Sequence, residues 1–173
     1  MGGQDGMIMH RLVSLAVFLL LVMVAAAVAG QFVGGDWYQG LSKPSWTPSA
    51  MVMAAVWAVL YVLMSVAAWV VWETRRGLAS AALTCWGLQL LLGVSWSWVF
   101  FGMHRLGWAF AVASLWIMAE LIVIRLFRSV RAEAASLMIP LAAWLVFLWV
   151  WCFSQWYLNG GGLGSVLYIP GIS

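Results

Sequence analysis

The sequence predicts an all-α membrane protein: a five-transmembrane-helix bundle with one long loop between helices 1 and 2. Composition is the first observation behind this prediction. Of the 173 residues, 66% are apolar and 8% are charged, and the mean hydropathy is +1.03. A soluble domain carries about 25% charged residues. The second observation is a set of five apolar stretches, each near or above the ~20 residues that a helix needs to cross a bilayer. Such stretches are too long for tilted strands, so they are predicted to be helices.

The order of the predicted elements follows from the apolar stretches and the connections between them. The connections at 73–77 and 104–105 are very short, so the helices that they join should be antiparallel. The first stretch also resembles a signal sequence, with Ala27-Val28-Ala29 as its cleavage site, but it is longer than a typical signal core. We therefore predict one domain, 1–173, with helices at 12–33, 51–72, 78–103, 106–124 and 134–158, a loop lid at 34–50 and an uncharged tail at 159–173.

Charge and sulfur content exclude several functions. A net charge of +3 from eight basic and five acidic residues is too small for a nucleic-acid surface. Cys85 and Cys152 lie inside apolar stretches and behave as small hydrophobic residues. Neither His10 nor His104 has a second ligand at helical spacing, so no metal site is predicted. No paired carboxylates or nucleophile motif is visible, so no catalytic residue and no obligatory cofactor are assigned.

Basic residues in the connections predict the orientation. Cytoplasmic loops of membrane proteins are enriched in lysine and arginine. Two basic residues, Lys43 and Arg105, lie on one side. This predicts an integral protein of a bacterial inner membrane, with its N-terminus cytoplasmic and its C-terminus periplasmic. Six arginines fall on the predicted cytoplasmic side: Arg11, Arg75, Arg76, Arg125, Arg128 and Arg131.

Aromatic, amide and small side chains recur at helical spacing in three of the predicted helices. Residues three or four apart share one helix face, and amides in membrane helices usually face the bundle interior. These stripes could line an aromatic cavity for a flat hydrophobic ligand, or they could serve ordinary helix packing. They comprise Trp57, Tyr61 and Ser65 in the second helix, Gln89, Gly93, Trp96 and Ser97 in the third, and Trp144, Leu148, Trp151, Cys152 and Gln155 in the fifth.

Glu120 is the one carboxylate inside an apolar stretch. Burying its charge near the bilayer centre costs at least ~2.5 kcal/mol. We expect the carboxylate to reach the membrane interface or an arginine, and proton coupling is the alternative.

The long loop carries the most specific motif. It contains Trp37-Tyr38, then Leu41, Lys43-Pro44 and Trp46. The next helices continue the pattern with Trp57 and Leu60-Tyr61, Gln89-Leu90, Trp96-Ser97, Phe100-Phe101-Gly102, and Pro140 with Trp144. Together these residues resemble the tryptophan-rich sensory protein (TspO/MBR) family, which includes the mitochondrial translocator protein, or peripheral benzodiazepine receptor. The resemblance extends from about residue 12 to residue 159.

Several positions depart from the family pattern. The second proline of the loop motif is Ser49, and the asparagine after the glutamine–leucine pair is Gly93. Other departures are Met53, Leu141, Leu148, Trp151-Cys152 and Tyr157. Because several of these positions line the family's ligand pocket, the pocket here should be more apolar and differently shaped.

The resemblance implies a function in binding rather than catalysis. Family members bind porphyrins and haem-pathway intermediates, and some modulate tetrapyrrole and carotenoid metabolism. Trp57 and Trp144 would be pocket tryptophans. The loop residues would form a lid, where Lys43 or Arg105 could meet a propionate. Light-dependent porphyrin breakdown is implied by the family alone. The lid residues are Trp37, Tyr38, Lys43, Pro44 and Trp46.

Two functions follow as alternatives. The first is a membrane sensor or carrier for a porphyrin-type tetrapyrrole, haem included. The second is an accessory subunit of a larger, for instance photosynthetic, membrane complex that holds a carotenoid or lipid. Gly93, Trp151, Cys152 and the uncharged tail favour the second. The expected partners are the lipid membrane, a hydrophobic ligand, and a second copy or a larger complex.

Overall fold

Six α-helices and one π-helical turn make up the regular structure of the described residues, 2–74 and 77–161, in the computed structural model. Five of these helices are long and apolar enough to cross a membrane, and the protein is an integral membrane protein. The helices are α1 (Gly2–Gly30), α2 (Asp36–Gly40), α3 (Ala50–Thr74), α4 (Ala79–Ser97), α5 (Leu106–Val130) and α6 (Ala132–Leu158), and the π-helical turn is Trp98–Gly102.

The five long helices form a closed ring in the order α1, α3, α6, α5, α4. Successive long helices run in opposite directions, so every neighbouring pair in this ring is antiparallel except α1 and α4. That pair must be parallel because the ring has an odd number of members. Two contacts fix the register of α1 on α4. Near the middle of α1, Phe18 meets Trp86 with ring centroids 5.6 Å apart, and at its C-terminal end the Ser97 hydroxyl donates to the Ala29 carbonyl at 2.8 Å.

The connection between the first two long helices is not the continuous loop that the sequence predicts. Residues 36–40 form the short helix α2, so only residues 31–35 separate α1 from the next helix. The Trp37-Tyr38 pair therefore lies on helical backbone. Hydropathy could not reveal this helix, since its five residues are mixed in polarity and are held by tertiary contacts.

Two helix ends also differ from the predicted limits. α1 begins ten residues earlier than predicted, and α5 continues six residues past 124. In both places polar or charged side chains end the apolar stretch without ending the helix. Arg125 and Arg128 are exposed on the last turns of α5. Arg75, Arg76 and residues 162–173, on which part of the orientation and tail predictions depends, lie outside the described residues.

The predicted helix 78–103 ends in the π-helical turn, where the backbone hydrogen bonds span more residues than in an α-helix. The Met103 amide donates to the Trp98 carbonyl at 2.8 Å, and the Arg105 amide donates to the Val99 carbonyl at 3.1 Å. Such turns occur mostly as short insertions, frequently at functional sites. Here the turn places Phe100 in the core with no exposed surface, at the end of the bundle that α2 covers.

Candidate aromatic binding site

Three indoles from three helices meet inside the bundle. The ring of Trp57 (α3) stacks on Trp116 (α5), with centroids 5.9 Å apart and planes inclined by 12°. The Trp144 ring (α6) stands perpendicular to Trp57 at 6.5 Å, and Tyr61 also stacks on Trp57, at 5.5 Å. Aromatic pairs in such geometries contribute about 0.5–1.5 kcal/mol each beyond the area that they bury. Trp57 is thus the centre of the cluster.

Trp116 is held in place by α4. Its indole N–H donates to the Gln89 side-chain oxygen at 3.0 Å, and both side chains are buried. Gly93 lies one turn further along α4. A Cβ at that position would come within 2.7 Å of the Trp116 ring. The glycine is therefore the residue that allows α4 to approach the indole.

A second group of rings connects this cluster to the lid. Trp96 lies 6.5 Å from Trp116 and 5.3 Å from Phe100. Phe100 in turn stacks on Trp151 at 5.2 Å. The aromatic rings therefore form a continuous chain from the middle of the bundle to the end that carries α2.

The lid consists of α2 and residues 41–49. Trp37 stacks on His104 at 4.1 Å, and Tyr38 packs edge-on against Phe101 at 5.3 Å. His104 has a positive φ of 57°, a conformation that costs non-glycine residues energy and that the Trp37 stack helps to hold. Burial raises the pKa of the Tyr38 phenol above its ordinary value, so the phenol is neutral at physiological pH.

Polar contacts fasten the same segment. The Lys43 ammonium lies 4.6 Å from the Tyr38 ring centroid and donates to the Gln39 carbonyl at 3.1 Å. Asn159, at the end of α6, pairs with the backbone of Ser42: the Ser42 amide donates to its side-chain oxygen, and its side-chain NH₂ donates to the Ser42 carbonyl, both at 2.9 Å. The Trp151 indole donates to the Thr47 hydroxyl at 3.3 Å. Hydrogen bonds thus tie the lid to α6 and to the residue that follows it.

The remaining predicted residues occupy different surroundings. Leu148 and Cys152 are fully buried on α6, and the Cys152 sulfur lies 4.0 Å from the Leu106 carbonyl. Trp46 is 46% exposed and touches Phe147 at the outer side of the lid. Pro44 begins a turn in which its carbonyl accepts from the Thr47 amide at 3.0 Å.

Two members of the cluster are missing from the predicted stripes. Trp116 stacks on Trp57, and Phe100 lies between Trp96 and Trp151. Trp116 could have been found, because it lies four residues before Glu120 on the face of α5 that faces the core. Phe100 could not, since its inward direction depends on the π-helical turn.

Polar atoms in the interior are left without partners. The side-chain NH₂ of Gln89 and the indole N–H of Trp144 are buried and donate to no acceptor among the described residues. Buried donors are almost always paired in folded proteins, so each unpaired one calls for an explanation. The Gln89 NH₂ and the Trp144 N–H are thus two unpaired donors beside the stacked rings.

Glu120 does not reach the interface or an arginine, contrary to the expectation from sequence. Its side chain is completely buried, and both carboxylate oxygens lack a hydrogen-bond partner among the described residues. The prediction failed because Glu120 faces the interior of the helix bundle, one turn after Trp116, whereas Arg125 is exposed on another face of α5.

The fold and the site together define a class: a five-helix membrane protein with an aromatic interior site beneath a lid formed between the first two long helices. A profile of the TspO/MBR family matches residues 16–158, and the chain belongs to this family. Its relatives include the translocator protein of Homo sapiens, which is 34% identical over 154 residues, covering 86% of this chain and 91% of the relative.

Two bacterial proteins are similar to the chain at comparable identity. Protein CrtK of Rhodobacter capsulatus is 32% identical over 148 residues, covering 84% of this chain and 92% of the relative. A tryptophan-rich sensory protein of Cereibacter sphaeroides is 33% identical over 117 residues, covering 60% of this chain and 73% of the relative. The resemblance drawn from the sequence motifs is thus confirmed at the level of the family.

The fit of Gly93 against Trp116 yields a first prediction. Gly93→Ala should lower the free energy of unfolding by about 1–3 kcal/mol, because the added methyl group forces the Trp116 ring away from Trp57. The measurement is the midpoint of thermal unfolding in detergent. Gly87→Ala is the matched control, since a Cβ there meets no atom within 4 Å. Equal midpoints for the two variants would contradict the proposed contact.

The link between Asn159 and Ser42 yields a second prediction. Asn159→Ala removes both hydrogen bonds to the lid, each worth about 0.5–1.5 kcal/mol. Hydrogen–deuterium exchange of residues 36–48 should therefore become about five- to 150-fold faster. Ser154→Ala is the control, because the Ser154 hydroxyl donates only to the Val150 carbonyl of its own helix. Unchanged exchange in Asn159→Ala would show that the aromatic contacts alone hold the lid.

Proposed function

We propose that this protein is a membrane-embedded binding protein and sensor for porphyrin-type tetrapyrroles or related flat hydrophobic ligands, and that it modulates tetrapyrrole and carotenoid metabolism. The observation that carries the proposal is the aromatic cluster around Trp57 together with the unpaired donors beside it. Stacked indoles offer flat apolar surface, and the donors of Gln89 and Trp144 offer hydrogen bonds to the polar edge of a ligand.

Binding would exchange ring contacts within the protein for ring contacts with the ligand. Trp57 is half-buried and is packed against Tyr61 and Trp116. A macrocycle entering beside Trp57 and Trp144 would replace part of these contacts with a larger aromatic face. Lys43 is the cation of the lid, and it would leave its backbone carbonyl acceptors to meet a propionate. Conventional catalysis plays no part in this proposal.

The accessory-subunit alternative has less support from the residues on which it was based. Gly93 and Trp151 have roles within the fold, since one makes room for Trp116 and the other fastens Thr47 of the lid. Residues 162–173 of the tail lie outside the described residues. The absorption spectrum of protein gently purified from its native membrane separates the two functions: a carotenoid spectrum without saturable porphyrin binding would favour the accessory subunit.

We further propose that the lid faces the periplasm of a bacterial inner membrane. Arg11, Arg125, Arg128 and Arg131 lie at the end of the bundle opposite the lid, which the positive-inside rule assigns to the cytoplasm. In a variant with Cys85 and Cys152 replaced by serine, a membrane-impermeant maleimide should label Ser45→Cys in intact cells and spare Ser129→Cys. The reverse labelling would contradict this orientation.

The proposed site predicts the effect of removing its two indoles. Trp57→Phe with Trp144→Phe should raise the Kd for protoporphyrin IX about tenfold, through loss of ~0.7 kcal/mol of stacking at each ring. The readout is the shift of the porphyrin Soret band, which does not depend on tryptophan emission.

The matched control is Trp108→Phe, which changes an indole that is 54% exposed on the outer face of α5. An unchanged Kd in the double variant, or an equal loss in Trp108→Phe, would refute the proposed site.

A further inference from the structure

A cavity of about 710 Å³ lies at the end of the bundle opposite the lid. It opens between the start of α1, the end of α3 and the turn that joins α5 to α6. None of its lining residues belongs to the aromatic site. The lining includes His10, Arg11, Trp69, Glu73, Val130 and Arg131.

One wall of this cavity is organised by a polar network. The Trp69 indole donates to the Ser14 hydroxyl at 3.1 Å, and that hydroxyl lies 2.9 Å from a Glu73 carboxylate oxygen. The other Glu73 oxygen is 3.5 Å from the Arg11 Nε, and the Arg11 guanidinium lies over the Trp69 ring at 5.4 Å from its centroid. The guanidinium is thus held at the mouth of the cavity while 55% of its side chain is exposed.

The opposite wall carries a second guanidinium. Arg131 sits on extended backbone between α5 and α6, and its amide donates to the Phe127 carbonyl at 2.7 Å. Its side chain is 56% exposed and only loosely paired with Glu133, at 3.9 Å. The cavity therefore has two arginines and one carboxylate at its mouth, beside an apolar wall of Met7, Val70 and Val130.

We propose that this cavity binds an anionic phospholipid of the surrounding leaflet. The phosphate would lie between Arg11 and Arg131, and the first part of an acyl chain would lie on the apolar wall. Charge complementarity and position support this occupant, because Arg131 lies on the turn between α5 and α6, and Arg11 pairs with Glu73 next to the last residue of α3, at the same end of the bundle. Basic pockets between transmembrane helices on the cytoplasmic side are suited to anionic headgroups, and arginine binds phosphate in bidentate geometry.

Native mass spectrometry of the full chain with phosphatidylglycerol and phosphatidylcholine tests the proposal. The wild-type protein should retain phosphatidylglycerol preferentially. Arg11→Gln with Arg131→Gln should weaken phosphatidylglycerol binding about thirtyfold, at ~1 kcal/mol for each arginine. The matched control is Arg125→Gln with Arg128→Gln, which removes the same charge from exposed positions outside the cavity. Equal losses in the two double variants, or equal retention of the two lipids, would overturn the proposal.

Two further experiments test the role of the Glu73 carboxylate and distinguish a lipid from a free phosphate compound. Glu73→Gln removes the one carboxylate of the cavity while preserving an acceptor for Ser14, so it should strengthen phosphatidylglycerol binding, and weaker binding would overturn the proposal. Competition by glycerol 3-phosphate as effective as that by the lipid would assign the site to a free phosphate compound instead. Protoporphyrin titration of Arg11→Gln with Arg131→Gln reports on the aromatic site separately, so that the two proposals can fail independently.

Discussion

The stack of Trp57 on Trp116 is the contact on which the rest of the interior depends. It joins α3 to α5 across the ring of helices, and α4 supports it with the Gln89 hydrogen bond. Because water is absent from the bilayer core, helix association there relies on packing and on hydrogen bonds between helices rather than on the hydrophobic effect. A stacked indole pair whose N–H is satisfied by a neighbouring helix supplies both.

The aromatic chain transmits this arrangement to the lid. Trp96, Phe100 and Trp151 connect Trp116 to Tyr38 through successive ring contacts. A ligand that separates Trp57 from Trp116 would therefore disturb the contacts that hold α2 on the bundle. This physical connection is what a sensor needs, since occupancy of an interior site becomes a change at a surface. The Asn159–Ser42 pair adds two hydrogen bonds that hold the same surface.

Much of the fold could be predicted from the sequence, because lipid imposes helices and hydropathy marks where they lie. The site was only partly predictable. Helical spacing placed Trp57 with Tyr61, and Gln89 with Gly93, on common faces. Spacing within one helix could not show that Trp116 fills the space beside Gly93, since that depends on two helices meeting. The inward turn of Phe100 depends on a π-helical turn, and α2 depends on contacts with the bundle.

The structure of the protein with protoporphyrin IX bound is the most direct test of the central claim. We expect the macrocycle to lie against Trp57 and Trp144. The Trp57 and Trp116 rings should then move apart from their 5.9 Å separation, and the lid contacts of Tyr38 should change with them. A porphyrin bound on the outer surface of the bundle, with the Trp57–Trp116 stack intact, would contradict it.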